Sequence, residues 1–141
     1  EVVYAPGELK VVTYKAGQRW ATAVQRTTGA AAKLLLAPDR ATLRADGADL
    51  SFVTVTIADR DGQLVPRTHN LVKFAVDGPA EIAAVDNGNP ISFEPFQASE
   101  RKAFNGLALV ILRTRPGQTG PITLRAVSDG LTAAEVKLEA K

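Results

Sequence analysis

No cysteine and no methionine occur among the 141 residues, and histidine and tryptophan occur once each. Without cysteine there is no disulfide, no thiolate zinc site and no thiol nucleophile, although the cellular compartment stays open. The lone histidine, His69, cannot build a multi-histidine metal centre. A Ser-His-Asp relay would have to pass through it, yet no Gly-x-Ser-x-Gly elbow accompanies it, so an exposed loop histidine is the plainer reading. Long apolar runs are missing too: the longest, residues 107–112, falls far short of the roughly 20 residues that cross a bilayer. Methionine is absent even at position 1, and the opening Glu1-Val2-Val3-Tyr4 reads like the interior of a strand, so an excised fragment is expected. No signal-peptide pattern is seen, and a fragment would not carry one.

What remains has the composition of a soluble globular domain: 45% hydrophobic and 23% charged residues. A chain of this length hides roughly 68–70% of its unfolded surface, enough for one real core. The sequence pI of about 9.1 loses its interest once the charges are placed. Residues 1–40 hold six basic and three acidic groups, +3, and the remainder 11 basic and 12 acidic, −1. A nucleic-acid surface needs clustered basic residues interleaved with stackable aromatics, and neither part shows that pattern.

Strand-length segments separated by Gly, Asp and Asn turns dominate, with no convincing 3.6-residue period. Residues 8–15 alternate Leu9, Val11, Thr13 against Lys10, Val12, Tyr14; a turn at Ala16-Gly17 then leads to residues 19–26, forming a hairpin. Residues 33–37 read as a strand stopped by Pro38 and Asp39. The strongest hairpin signal runs from Leu50 through Ile57, turns at Asp61-Gly62 as a type I′ turn allows, and resumes at Leu64 and Val65. Residues 72–76 alternate as a half-buried strand, residues 82–85 form a short one, and residues 86–101 are the longest irregular stretch. Asn105-Gly106 turns into residues 107–113, apolar on both faces, as a central strand packed on two sides requires. Ile122, Leu124 and Ala126, then Asp129-Gly130, then Ala134, Val136 and Leu138 predict a closing hairpin. From Lys33 onward, about seven or eight short strands spaced about 8–12 residues apart mark an all-β, immunoglobulin-like Greek-key sandwich.

Four stretches carry a family resemblance. Residues 3–17, Val-Tyr-Ala-Pro-Gly-Glu-Leu-Lys-Val-Val-Thr-Tyr-Lys-Ala-Gly, resemble the closing strands of the Ig-like module that follows the catalytic barrel in bacterial glycoside hydrolase family 2, the β-galactosidase class. Residues 45–53, 85–90 (Val-Asp-Asn-Gly-Asn-Pro) and 101–106 (Arg-Lys-Ala-Phe-Asn-Gly) are similar to the additional C-terminal Ig-like module of those enzymes. The resemblance implies that residues 1–29 are a hairpin left over from a preceding Ig-like module and that residues 30–141 form the C-terminal sandwich. It also implies a parent with a sugar-binding jelly roll, an Ig-like module and a TIM barrel whose catalytic glutamates have no counterpart here.

The residues themselves favour the same non-catalytic reading. Glycoside hydrolysis needs two carboxyl groups facing one another, roughly 5–5.5 Å apart for retention or 6.5–9.5 Å for inversion. Asp39, Asp46, Asp61, Asp77 and Asp129 sit at turns, and Glu135 and Glu139 on polar strand faces, where turn chemistry and solubility explain them. Asp86-Asn87-Gly88-Asn89 has a superficial calcium-loop look without the EF-hand spacing or its terminal glutamate. No cofactor and no metal site is expected.

Contact residues are sought in two places. The 86–101 stretch exceeds the usual connection length and carries Asp86, Asn87, Asn89, Phe93, Phe96 and Arg101. Either Phe93 and Phe96 pin the loop to the sandwich while Asp86 and Asn87 satisfy its backbone, or the loop meets the catalytic barrel or a glycan. Trp20, with Tyr4 and Tyr14 nearby, either stacks on a sugar or packs in a core or between modules. The expected function is a structural accessory module of a periplasmic or extracellular bacterial glycosidase, its partners being the parent's other domains. An independent carbohydrate-binding module and an Ig-like repeat of an adhesin are the alternatives. The open edges of residues 1–29 predict weak dimerisation at high concentration.

Overall fold

The computed structural model describes residue 3 and residues 5–141, and among these there is no helix. Of the strand expected at residues 1–4, positions 1, 2 and 4, with the aromatic Tyr4, fall outside the described residues, and Val3 lies in no strand. Two strands, β1 (Glu8–Lys15) and β2 (Gln18–Arg26), pair only with each other. Nine more form the sandwich: β3 (Lys33–Pro38), β4 (Thr42–Leu43), β5 (Leu50–Ala58), β6 (Leu71–Asp77), β7 (Ala80–Asp86), β8 (Glu100–Lys102), β9 (Leu107–Thr114), β10 (Gly120–Val127) and β11 (Ala134–Ala140). One sheet has the order β3-β5-β9-β7 and the other β4-β11-β10-β6-β8. With β4 running parallel to β11, this is the Ig arrangement: the chain crosses between sheets at every step from β3 to β10.

The closing hairpin is present as expected, with Ile122 opposite Leu138 and Leu124 opposite Val136. The expected Asp61-Gly62 hairpin is not. β5 pairs with β3 and β9, and the return beyond Gly62 is a single bridge, Ala58 to Leu64. Asp61 lacks the positive φ that a type I′ turn demands at both central residues. That geometry belongs instead to Ala16-Gly17 (φ 51° and 77°) and Asn105-Gly106 (φ 52° and 80°). The extra strands β4 and β8 are two and three residues long, too short to show a period.

The core lies between the sheets, where Val53, Val55, Ile57, Val110, Leu112, Ile122 and Leu124 are almost wholly buried. The outer faces differ in kind. On the five-stranded sheet, Lys73, Arg125, Glu135, Lys137 and Glu139 point outward, and Arg125 pairs with Glu135 across the register at 3.0 Å. On the four-stranded sheet, Leu35, Phe52, Leu107, Leu109 and Ile111 take the same positions.

Asp59 joins hairpin and sandwich. It directly follows β5, is buried, and accepts backbone hydrogen bonds from Gly29 (2.9 Å), Gln63 (2.9 Å) and Asp61 (3.0 Å). Those N–H groups, Gly29 foremost and then Gln63, outweigh burial and hold its carboxyl below the ordinary aspartate value of 3.8. Asp46 is lowered likewise by the N–H groups of Ala48 and Asp49. Because the folded values are depressed, their contribution is complete above 3.8 and is lost as pH falls through the folded values. The melting temperature should therefore stay flat down to about pH 5 and fall below about pH 4, and Asp59→Asn should flatten that fall. Calorimetry across pH checks this; an unchanged acid slope in the variant would remove Asp59 from the account.

Candidate functional site

The loop between β7 and β8, residues 87–99, is built around one buried cation. Arg101 stands at the middle of β8 with 1% of its surface exposed. Its guanidinium donates to the Glu94 carbonyl at 2.7 Å and, more weakly, to Asp86 Oδ1 at 3.4 Å and Asn87 Oδ1 at 3.3 Å. The carboxylate of Glu94 lies 3.9 Å from Nε, which has no hydrogen-bond partner among the described residues. Arg101 thus sits between two acidic side chains and across the Phe96 ring, 5.3 Å from its centroid.

Asp86 and Asn87 also serve the backbone, as expected. Asp86 Oδ1 accepts from Asn87 N (2.7 Å), Asn87 Oδ1 accepts from Asn89 N (2.9 Å), and the Asn87 amide donates to the Lys102 carbonyl (2.9 Å). An Asp86 oxygen shared by its own turn and by a guanidinium is a poor cation ligand. The aromatic half of the pinning expectation is corrected: Phe93 is fully exposed and Phe96 is 59% exposed. The loop is held by Arg101, and its apolar residues Ile91 and Phe93 project outward. Sequence reading missed Glu94, whose carbonyl takes the shortest of the Arg101 bonds; nothing in a sequence marks a carbonyl.

Trp20 lies far along the chain in the β1–β2 hairpin. The register slips there, so that Arg19 and Trp20 together oppose Tyr14 in a bulge. Both rings are mostly exposed, and the Lys15 ammonium sits 4.5 Å from the Trp20 centroid. Within this chain Trp20 enters no core, because it stands on a two-stranded ribbon in which nearly every residue is exposed. His69 is exposed and lies near Phe104, ring centroids 6.2 Å apart. An open cleft at the foot of the hairpin is lined by Gly7, Leu9, Arg26, Thr28, Pro66 and Arg67, none of them among the residues chosen from sequence. Arg67 adopts a positive φ of 68° there, unusual for a residue other than glycine.

Comparison with known proteins places this geometry. Residues 34–137 match the family described as glycoside hydrolase family 2 C-terminal domain 5. The β-galactosidase BoGH2A of Bacteroides ovatus is 44% identical over 140 residues, 99% of this chain but 16% of the relative. Among solved structures, a glycosyl hydrolase family 2 member from Bacteroides cellulosilyticus superposes with a TM-score of 0.92 at 36% identity, over 99% of this chain and 18% of that one. A beta-glycosidase from Bacteroides vulgatus gives 0.93 at 28% identity, over 98% and 18%. The chain thus spans about a sixth of the curated relative it matches. The match over residues 34–137, most of the chain, makes this chain a member of the glycoside hydrolase family 2 C-terminal domain 5 family.

Proposed function

We propose that this chain acts as a non-catalytic accessory domain of a longer bacterial β-galactosidase-type enzyme, working in the periplasm or outside the cell. The observation that carries the reading is the match of nearly the whole chain, hairpin included, to 16% of a β-galactosidase. Residues 1–29 serve as the closing strands of a preceding Ig-like module and residues 30–141 as the terminal sandwich. The two-stranded ribbon supports this, because such a hairpin is marginal alone and needs more sheet to complete it. In isolation its open edges favour weak self-pairing at high concentration.

Within the parent, the loop presents Phe93 and Ile91 on a rigid base to the neighbouring barrel. A glycan is the second reading, favoured by exposed Trp20 and Tyr14 sharing one bulge. Glycan-array retention of the chain, run beside hydrolysis of nitrophenyl glycosides, tests both. Neither binding nor turnover is expected. Retention lost in Trp20→Ala would establish the binding-module reading instead, and turnover would overturn the proposal.

A further inference from the structure

The outer face of the β3-β5-β9-β7 sheet is largely apolar, with threonine as its central polar residue. Its rows run Leu35, Thr56, Leu107; then Ala37, Thr54, Leu109; then Phe52, Ile111, Ala84, each set aligned across the strands by register. Leu35, Phe52 and Leu107 are 38–40% exposed. Charge enters at the margins alone, as Lys33, the Arg113–Glu81 pair and Asp86. The opposite sheet of the same sandwich carries lysine, arginine and glutamate at the equivalent outward positions. Sheets with one solvated face alternate apolar with polar residues, as β11 does; β9 does not, which is the pattern of a strand covered on both sides.

Size decides what covers it. Four strands at about 4.8 Å spacing, each some six residues long at about 3.3 Å, give a face of roughly 400 Å². Any partner would then bury about 800 Å² in total, below the roughly 1,000–1,200 Å² of stable free complexes. A second copy diffusing in solution is held weakly by that area. A domain tethered on the same polypeptide is present at about millimolar effective concentration and needs no more. The matched relatives provide such domains, since this segment is 16–18% of their length. We propose that this face is permanently covered by an uncharged, apolar surface of another domain of the same polypeptide. The inference rests on reading the chain as one domain of a longer glycosidase.

The lack of cysteine makes the test direct. Thr54→Cys puts a single thiol at the centre of the face, and Lys137→Cys puts one on the charged sheet. Labelling by a water-soluble maleimide is followed at each peptide by mass spectrometry, in the 141-residue chain and in the full-length enzyme. Both thiols should react freely in the chain alone, and in the full-length enzyme the position 54 thiol should slow by about tenfold or more while position 137 does not. Adding Ile111→Lys should keep the far-ultraviolet circular dichroism of the chain and restore fast labelling at position 54 in the full-length enzyme. Equal rates at both positions in the full-length enzyme would overturn the proposal. So would slow labelling of position 54 in a dimeric 141-residue chain, which would assign the face to a second copy. Hydrolysis of nitrophenyl glycosides by the same full-length preparation reads the glycosidase assignment separately.

Discussion

Arg101→Ala will free the 87–99 loop and lower the stability of the sandwich by about 3 kcal/mol, roughly a 6–12 °C drop in melting temperature. The side chain is buried, so its removal leaves the Asp86 and Glu94 carboxylates facing a void without a countercharge, and the Glu94 carbonyl without its donor. Two backbone bonds should fail with it, Val85 N to the Phe96 carbonyl and Phe74 N to the Ser99 carbonyl, both 2.7 Å, because they tie the loop to β7 and β6. Arg101→Met separates charge from volume: it refills the space but not the donors, and should recover part of the melting temperature while the loop stays loose. Calorimetry combined with hydrogen exchange at Val85 and Phe74 reads both effects. A loss under about 1 kcal/mol in Arg101→Ala, with exchange unchanged, would show that the loop is held by something else.

Gly78→Ala should be comparably severe for a different reason. Gly78 lies between β6 and β7, where the chain passes from one sheet to the other, with φ at 98°. A β-carbon there falls on the backbone carbonyl of Pro121 in β10, and no side-chain rotation can relieve a clash with backbone. Since β6 pairs with β10 through Asp77 and Thr123, the alanine must force those strands apart; a cost of about 3 kcal/mol or more follows. Gly130→Ala is the control, with φ 74° and open space around it, so that it bears the left-handed penalty alone, about 1 kcal/mol. Urea denaturation followed by far-ultraviolet circular dichroism measures both; equal losses would mean that crowding at Pro121 is not the cause.

Sandwich architecture was legible because it is written in alternation. Val53, Val55 and Ile57, and Ile122, Leu124 and Ala126, point to the core as their period-2 pattern demands. Asp61-Gly62 misled because dipeptide chemistry permits a turn without choosing the strand partner, and β3 and β9 took both edges of β5. At the candidate site the long stretch and its residues stood out from sequence, but the roles of Phe93 and Arg101 were exchanged. Aromatic rings are expected to bury themselves; here a guanidinium did so, because two carboxylates and a carbonyl converge on it from positions 7–15 residues away. Asp59 was passed over because its partners are backbone N–H groups, one of them 30 residues distant.

The β1–β2 hairpin also divides the chain spectroscopically. Trp20, Tyr4 and Tyr14 are the whole complement of tryptophan and tyrosine, and all precede residue 30, leaving phenylalanine as the sandwich's one benzenoid chromophore. Tryptophan emission will therefore follow the N-terminal ribbon and remain nearly silent while the sandwich unfolds, whereas backbone ellipticity will be dominated by the sandwich. Two melting curves from one sample will report on two parts of the chain, and a gap between their midpoints will measure how far hairpin and sandwich melt independently.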